Sequence, residues 1–295
     1  MGRRYAFFLL VLGAIWGSSY LFIRVGVRDL SPAVLIEIRL LFAAPVLLAF
    51  AVRRYGWAAL RRAWRVGLVL GVINAAIPFT LIAWGERYVD SGTAAVANSS
   101  VPIFVVPLAF LFVPSERSTG LRLVGVLLGL VGVAVLAGVH PQGGWTGAAG
   151  IGAIVLASIS YAGANLYAGR RMAAGGPVLA ATSMSFAFLL LLPLAAATPP
   201  AHVPGWKPIG SAIALGLLGT ALAQILSYRM IRLWGSARAV LVAYLLPAFA
   251  LLYGSLFLHE PLTVEKLVGL VLITGGVALG AGAVRFTRRG PLVQT

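Results

Sequence analysis

Polar residues set singly into long apolar runs are the groups in this chain most able to do chemistry. A polar side chain in apolar surroundings is costly, so it tends to face a cavity or a partner helix. Ser158, Tyr161 and Asn165 are spaced i, i+3, i+7 and share one helical face. The same spacing recurs 145 residues earlier at Gly13, Trp16 and Tyr20, again on one face. Thr220 and Gln224 share a face at i, i+4. Asn74 stands four residues before Pro78, Asn98, Ser99 and Ser100 just before Pro102, and Tyr244 three before Pro247. Amides and hydroxyls in this pattern offer donors and acceptors to a zwitterion without the cost of a buried charge. They serve equally to tie helices together, and Trp and Tyr also act as interfacial anchors.

Two charges lie well inside apolar runs. Glu37 and Arg39 are two residues apart and point about 200° away from each other on a helix, so they are not a simple pair. Arg39 either snorkels to a surface or binds a substrate carboxylate. Glu37 is a candidate for proton coupling, with a hydrated position near a helix end as the alternative. Glu116 and Glu260 are expected to cap the helices that follow them. Pro102 and Pro247 are expected to kink their helices and are candidate hinges or static bends.

Other chemistries lack their residues. Cys is absent, which removes disulfides and thiolate metal sites. His140, His202 and His259 are isolated, so no metal centre and no cofactor are expected. No G-x-x-x-x-G-K-[ST] loop occurs for ATP, nor a G-x-S-x-G nucleophile turn. The seven acids are scattered, which argues against an integral-membrane enzyme acting on a lipid-linked intermediate.

The elements that must position these residues follow from composition. Sixty per cent of the 295 residues are apolar and 10% are charged, far from a soluble domain. Ten runs approach the length of a spanning helix: 5–23, 33–52, 66–85, 92–113, 121–139, 147–168, 178–197, 209–231, 236–258 and 265–284. The net charge of +16 raises nucleic acid as a partner, but the cations are dispersed over short connections, with no nucleic-acid motif. With the amino terminus inside, 17 cations fall on the cytoplasmic side and five opposite, Arg39 being within span 2. That bias predicts an inner (plasma) membrane protein with both termini cytoplasmic. The cluster Arg53–Arg65 also suits anionic headgroups of the lipid bilayer.

The two halves superpose at an offset of 145: Gly71 meets Gly216, Ser91 meets Ser236, Pro102 meets Pro247 and Phe104 meets Phe249. After a one-residue slip, Glu116 meets Glu260, Thr119 meets Thr263, Gly125 meets Gly269 and Gly132 meets Gly276. Five spans per half force opposite entry into the membrane. The expectation is an all-α integral membrane fold of ten transmembrane helices, arranged as two inverted five-helix repeats, 1–144 and 145–295, around a central cavity. The small-residue faces Gly125/Gly129/Gly132 and Gly269/Gly276/Gly280 are assigned to helix packing or to a homodimer contact.

Trp16-Gly17-Ser18-Ser19, Arg39, the small-residue run up to Pro102 and Glu116-Arg117-Ser118-Thr119 resemble the EamA-type branch of the drug/metabolite transporter superfamily. Pro247 and Glu260-Pro261-Leu262-Thr263 repeat the pattern in the second half. The resemblance covers essentially the whole chain and implies a secondary transporter of a small organic metabolite. Amino acids or related compounds are the first expectation and lipophilic toxic compounds the second, with export implied by the resemblance alone.

Overall fold

The structure is a computed structural model that describes residues 3–112, 121–137, 144–169, 175–235, 239 and 241–280. Among these residues there is no strand. Ten helical rods account for nearly all of them. Helix α1 is Arg3–Gly26; α2 and α3 are the two arms of Pro32–Gly85; α4 is Ser91–Asn98 followed by Val101–Phe112. Then come α5 (Leu121–Ala137), α6 (Gly144–Gly169), α7 (Gly176–Ala197), α8 (Trp206–Trp234), α9 (Val242–Leu258) and α10 (Val264–Gly280). Six continuous stretches, Pro32–Gly85 counted once, are long and apolar enough to cross a membrane; Leu123–Leu136 and Val242–Leu258 are shorter apolar helices.

Local sequence explains the boundaries. Ser31 caps α2: its hydroxyl accepts from the Val34 amide, and Pro32 fills the first turn, where no amide partner is needed. Arms α2 and α3 meet at Gly56, whose φ of 76° suits a residue without Cβ. The arginine-rich stretch expected as a connection is therefore mostly helix. Arg61, Arg62 and Arg65 are exposed, while Leu60, Ala63 and Gly67 form a buried stripe at helical spacing. Arg has good helix propensity, and its exposed head keeps it solvated, so the helix simply runs past the apolar segment.

Two rods contain a π-helical segment, and the two lie at matching places: Gly71–Ala76 in α3 and Leu215–Leu222 in α8. Each has a visible cause. Pro78 supplies no amide to the carbonyl of Asn74 and crowds it. In α8 the Thr220 hydroxyl donates to the Leu215 carbonyl five residues back, at 3.0 Å, intruding on the backbone ladder. The Ile73 carbonyl accepts from the Ser160 hydroxyl of α6 at 2.7 Å.

Packing pairs are exchanged between the halves. Helix α1 lies against α8 and α9; correspondingly, α6 lies against α3 and α4. Helix α3 packs on α7 and α8 on α2, while α4 meets α9 and α5 meets α10. Glycine permits the tightest approaches. A Cβ on Gly71 would meet Phe186 and the Ser183 carbonyl of α7, and one on Gly216 would meet Arg39 and Phe42 of α2. Between α5 and α10, a Cβ on Gly276 would stand 2.5 Å from the Gly125 carbonyl oxygen and 2.7 Å from the Gly129 amide nitrogen. These glycines are thus occupied by a contact within the chain and are not free for a homodimer seam.

Two sequence expectations change. Glu260 does not cap the helix that follows it. Its carboxylate accepts from the Ser91 amide at 2.9 Å, the Ser91 hydroxyl at 2.8 Å and the Gly92 amide at 3.2 Å, so it caps α4 in the other half. The following helix instead has Thr263, whose hydroxyl oxygen lies 3.4 Å from the Lys266 amide. The tertiary contact wins because the α4 amides are buried and would otherwise lack an acceptor. Glu116 falls outside the described residues. Finally, the two prolines are not equivalent: α4 breaks at Ser99–Ser100, just before Pro102, whereas Pro247 sits inside an unbroken α9. At the break the carbonyls of Val96 and Ala97 accept the amides of Ser99 and Ser100, and the hydroxyls of the same two serines donate to them as well. No such pair of hydroxyls precedes Pro247.

The packing and capping contacts are open to measurement by thermal unfolding in detergent. Gly276→Ala forces backbone apart and is expected to cost about 1–3 kcal/mol. Gly152→Ala enters open space and is expected to be neutral or slightly stabilising; equal midpoints for the two would contradict the close α5–α10 crossing. Glu260→Ala is expected to cost about 0.5–2 kcal/mol and to speed amide exchange at Ser91 and Gly92. Unchanged exchange there would dismiss the cap.

Candidate functional site

A cavity of about 220 Å³ lies among rods from both halves. Its wall contains Trp16, Ser19, Tyr20 and Ile23 of α1, with Arg39 of α2. Asn74, Phe79 and Ile82 come from α3, Asn98 from α4 and Tyr161 from α6. Gly219, Thr220 and Gln224 of α8 and Leu246 of α9 complete it. The π segments therefore do local work: the widened turns carry Asn74 on one side and Gly219 and Thr220 on the other. Single π turns within α-helices frequently mark functional sites for this reason.

Arg39 dominates the electrostatics. It is 7% exposed. Its Nε donates to the Thr220 hydroxyl at 2.8 Å, and its guanidinium carbon stands 3.5 Å from the centroid of the Phe79 ring. Among the described residues Lys266 pairs with Asp90 and the His202 ring lies 3.9 Å from Asp29; no carboxylate pairs with Arg39. Cation–π contact and one hydroxyl offset part of the burial cost. Among the described residues the two terminal nitrogens of the fork have no hydrogen-bond partner, and Arg39 is part of the cavity wall. A planar fork of this kind matches a carboxylate or phosphate.

Beside it runs a fixed amide network. The Asn98 amide nitrogen donates to the Tyr20 hydroxyl at 2.8 Å, and the Ser158 hydroxyl approaches Asn98 Oδ1 at 3.3 Å. Three rods, α1, α4 and α6, are thereby tied at the cavity. Tyr161 closes the wall above Phe79, their ring centroids 6.5 Å apart.

The structure brings together Trp16, Tyr20, Asn74, Asn98, Tyr161, Thr220 and Gln224, with Arg39, from the residues singled out in the sequence. Four others lie outside the wall. Ser158 is fully buried behind Asn98. Ser99 satisfies the break in α4, and Tyr244 packs against the apolar core. Asn165 is exposed: a face running from residue 158 to 165 extends about 10 Å along a helix, which carries its far end past the cavity. Glu37 is 8% exposed, and neither carboxylate oxygen has a partner. It is absent from the wall, in keeping with its direction opposite Arg39. One turn further on, Leu40 and Leu41 line a separate apolar groove with Phe188 and Leu189.

Sequence reasoning missed Ser19, Ile23, Phe79, Ile82, Gly219 and Leu246. Ser19 carried a usable signal, since it follows Trp16 at i+3. Phe79 did not, because an aromatic after a helix proline reads as packing until Arg39 is seen over its ring.

Comparison with known proteins places this arrangement. A crystal structure 19% identical in sequence superposes with a TM-score of 0.64, covering 95% of this chain and 96% of that one, and so shares the fold. An uncharacterized inner membrane transporter of Escherichia coli, YedA, is 30% identical over 276 residues, covering 92% of this chain and 88% of that protein. An uncharacterized transporter of Archaeoglobus fulgidus is 26% identical over 268 residues, covering 89% and 93%. The YvbV transporter of Bacillus subtilis is 24% identical over 281 residues, covering 94% and 91%. The EamA-like transporter family matches twice, at residues 3–138 and 148–281. An all-helical, multi-span membrane protein with these matches over both halves belongs to the EamA-like transporter family.

Proposed function

We propose that this transporter moves a small organic solute bearing a carboxylate, an amino acid or a related metabolite, by alternating access through the central cavity. One observation carries the substrate class: Arg39 is a buried cation in the wall with no carboxylate paired to it. A bound anion would supply the missing charge, while Asn74, Asn98 and Gln224 offer amide oxygens to an ammonium group. The solute is small, because a cavity of about 220 Å³ falls below the roughly 300–1,000 Å³ usual for drug-sized ligands.

The two halves, 1–144 and 145–295, act as inverted repeats that rock about this site. Supporting this reading are the matched π segments, the exchanged packing pairs and the doubled family match. The arginine-rich connections lie on the cytoplasmic side with both termini, in the inner membrane, and transport runs outward as the family resemblance implies. Pro102, beside the break in α4, serves as a hinge; Pro247 lies within α9 without interrupting it.

A lipophilic toxic compound is the second reading, favoured by the apolar groove of Leu40, Leu41, Pro45 and Phe188. The charge of Arg39 opposes a cation in the cavity and leaves neutral compounds without their main polar anchor. An enzyme acting on a lipid-linked intermediate would need clustered acids, a metal or a nucleophile with its base.

Counterflow in liposomes holding the purified chain distinguishes these readings. Labelled amino acids and other small carboxylates are the probes, with a lipophilic cation as the contrast. Carboxylate exchange is expected, and Arg39→Gln is expected to weaken it about 10–100-fold, the equivalent of losing charge-assisted hydrogen bonds. Undiminished exchange in Arg39→Gln, or exchange of the cation alone, would reject the carboxylate reading.

A further inference from the structure

At one end of the cavity a group of polar contacts ties the surrounding rods together. Ile23 and Ile82 form part of the wall there. Immediately beyond them, the Arg24 guanidinium donates to the Glu86 carbonyl, joining the end of α1 to the end of α3. Four residues on, Lys266 of α10 donates to Asp90 at 2.7 Å and to the Pro261 carbonyl at 2.8 Å. Next to that pair, Glu260 caps α4 through Ser91 and Gly92. The contacts join α1, the α3–α4 connection and the α9–α10 connection, so widening this end must disturb them.

Within the group, Glu86 stands apart. It is the first residue of the α3–α4 connection and is wholly inaccessible; among the described residues neither carboxylate oxygen has a hydrogen-bond partner. Arg24 engages its backbone carbonyl, and Glu260 is committed to the α4 amides. The charged neighbours acting on Glu86 are Glu260 and Arg24, and its own field reaches the Tyr20 hydroxyl on the cavity wall. From α6, Gly150 and Ile154 close against Gly85 and add no titratable group. Asp90 and Lys266 neutralise each other, and Arg87 is exposed.

An ionised carboxylate without partner in such a place is costly, whereas the neutral acid is not. Burial first and the Glu260 carboxylate second push Glu86 well above the ordinary carboxylate range, with Arg24 acting in the opposite direction. Opening this end would hydrate Glu86 and return it toward ordinary values. The closed form thus holds the proton more tightly, so acid favours closure and alkali favours opening.

We propose that Glu86 is a proton-binding site of this transporter, protonated while this end of the cavity is closed and deprotonated when water reaches it on opening. The site is independent of Arg39 and of the identity of the solute. It differs also from Glu37, whose buried carboxyl takes no part in these contacts. Proton binding of this kind makes the closing of this end depend on pH.

The absence of cysteine makes a solute-free test clean. Spin labels at Trp145→Cys, at the start of α6, and Leu262→Cys, in the α9–α10 connection, occupy exposed positions outside the polar group. Pulsed electron–electron distances are measured on the purified full chain in nanodiscs across a pH series. The expected result is a short distance in acid giving way to a longer one as pH rises, with the midpoint above the ordinary carboxylate range. Glu86→Gln, an uncharged isostere, is expected to lose that response and keep the short distance. Glu86→Asp is expected to retain it, and Glu37→Gln to leave it unaltered. A response that persists in Glu86→Gln, or a distance that ignores pH in the unsubstituted chain, would overturn the proposal. Monodisperse elution of Glu86→Gln, with an unfolding midpoint like the parent's, guards against a folding defect. Because no solute is added, failure here leaves the carboxylate reading intact, and failure of that reading leaves this one intact.

Discussion

A guanidinium held inside a helical bundle without a carboxylate beside it is the constraint on which the cavity depends. Arg39 keeps its place because Phe79 offers a ring face and Thr220 a hydroxyl. Both partners come from helices with a π segment, and Thr220 is also the residue whose hydroxyl disturbs its own helix. The widened turns and the buried cation therefore belong together. A regular α8 would present that hydroxyl at another angle, and the cation would lose one of the few groups that offset its burial. Arg39 also bonds across the two halves, from α2 to α8, so its surroundings depend on how the halves sit relative to each other.

The scaffold around this point is stiff for a different reason. Helices α5 and α10 approach through Gly125, Gly129, Gly132 and Gly276, and α3 and α8 reach α7 and α2 through Gly71 and Gly216. Backbone contacts this close leave little room to slide, since dispersion falls off steeply with distance and no flexible side chain fills the gap. Polar links are sparser and sit where rods must be positioned: Asn98 between Tyr20 and Ser158, Ser160 on the Ile73 carbonyl, Glu260 on α4.

Much of this was legible in the sequence. Apolar runs gave the rods, and the 145-residue offset anticipated the matching of Gly71 with Gly216. Helical spacing put Trp16 and Tyr20 on one face, and the approximate 200° between Glu37 and Arg39 separated their fates. What spacing conceals is which rod stands opposite. Asn165 shares a face with Tyr161 yet overshoots the cavity, because periodicity gives direction around a helix but not depth along the bundle. Glu260 has the look of a local cap, since sequence shows the amides nearby and hides those of α4. Glu86 reads as an ordinary charge at a helix end; only the packing of α1, α6 and the α9–α10 connection removes its water.

The first segment of α4 joins these two regions. Ser91–Asn98 carries the Glu260 cap at one end and Asn98 at the other, a length of about 12 Å at 1.5 Å per residue. It is buried along most of its course and ends at the Ser99–Ser100 break, so it can tilt as a short strut without carrying Val101–Phe112 with it. A shift at its capped end would reach the Asn98 amide and, through it, the Tyr20 hydroxyl in the cavity wall. The break therefore separates the segment that carries Asn98 from Val101–Phe112, so the two are not one continuous rod. At the break the Val96 and Ala97 carbonyls each accept an amide and a serine hydroxyl, so interrupting the helix there leaves neither of them unsatisfied.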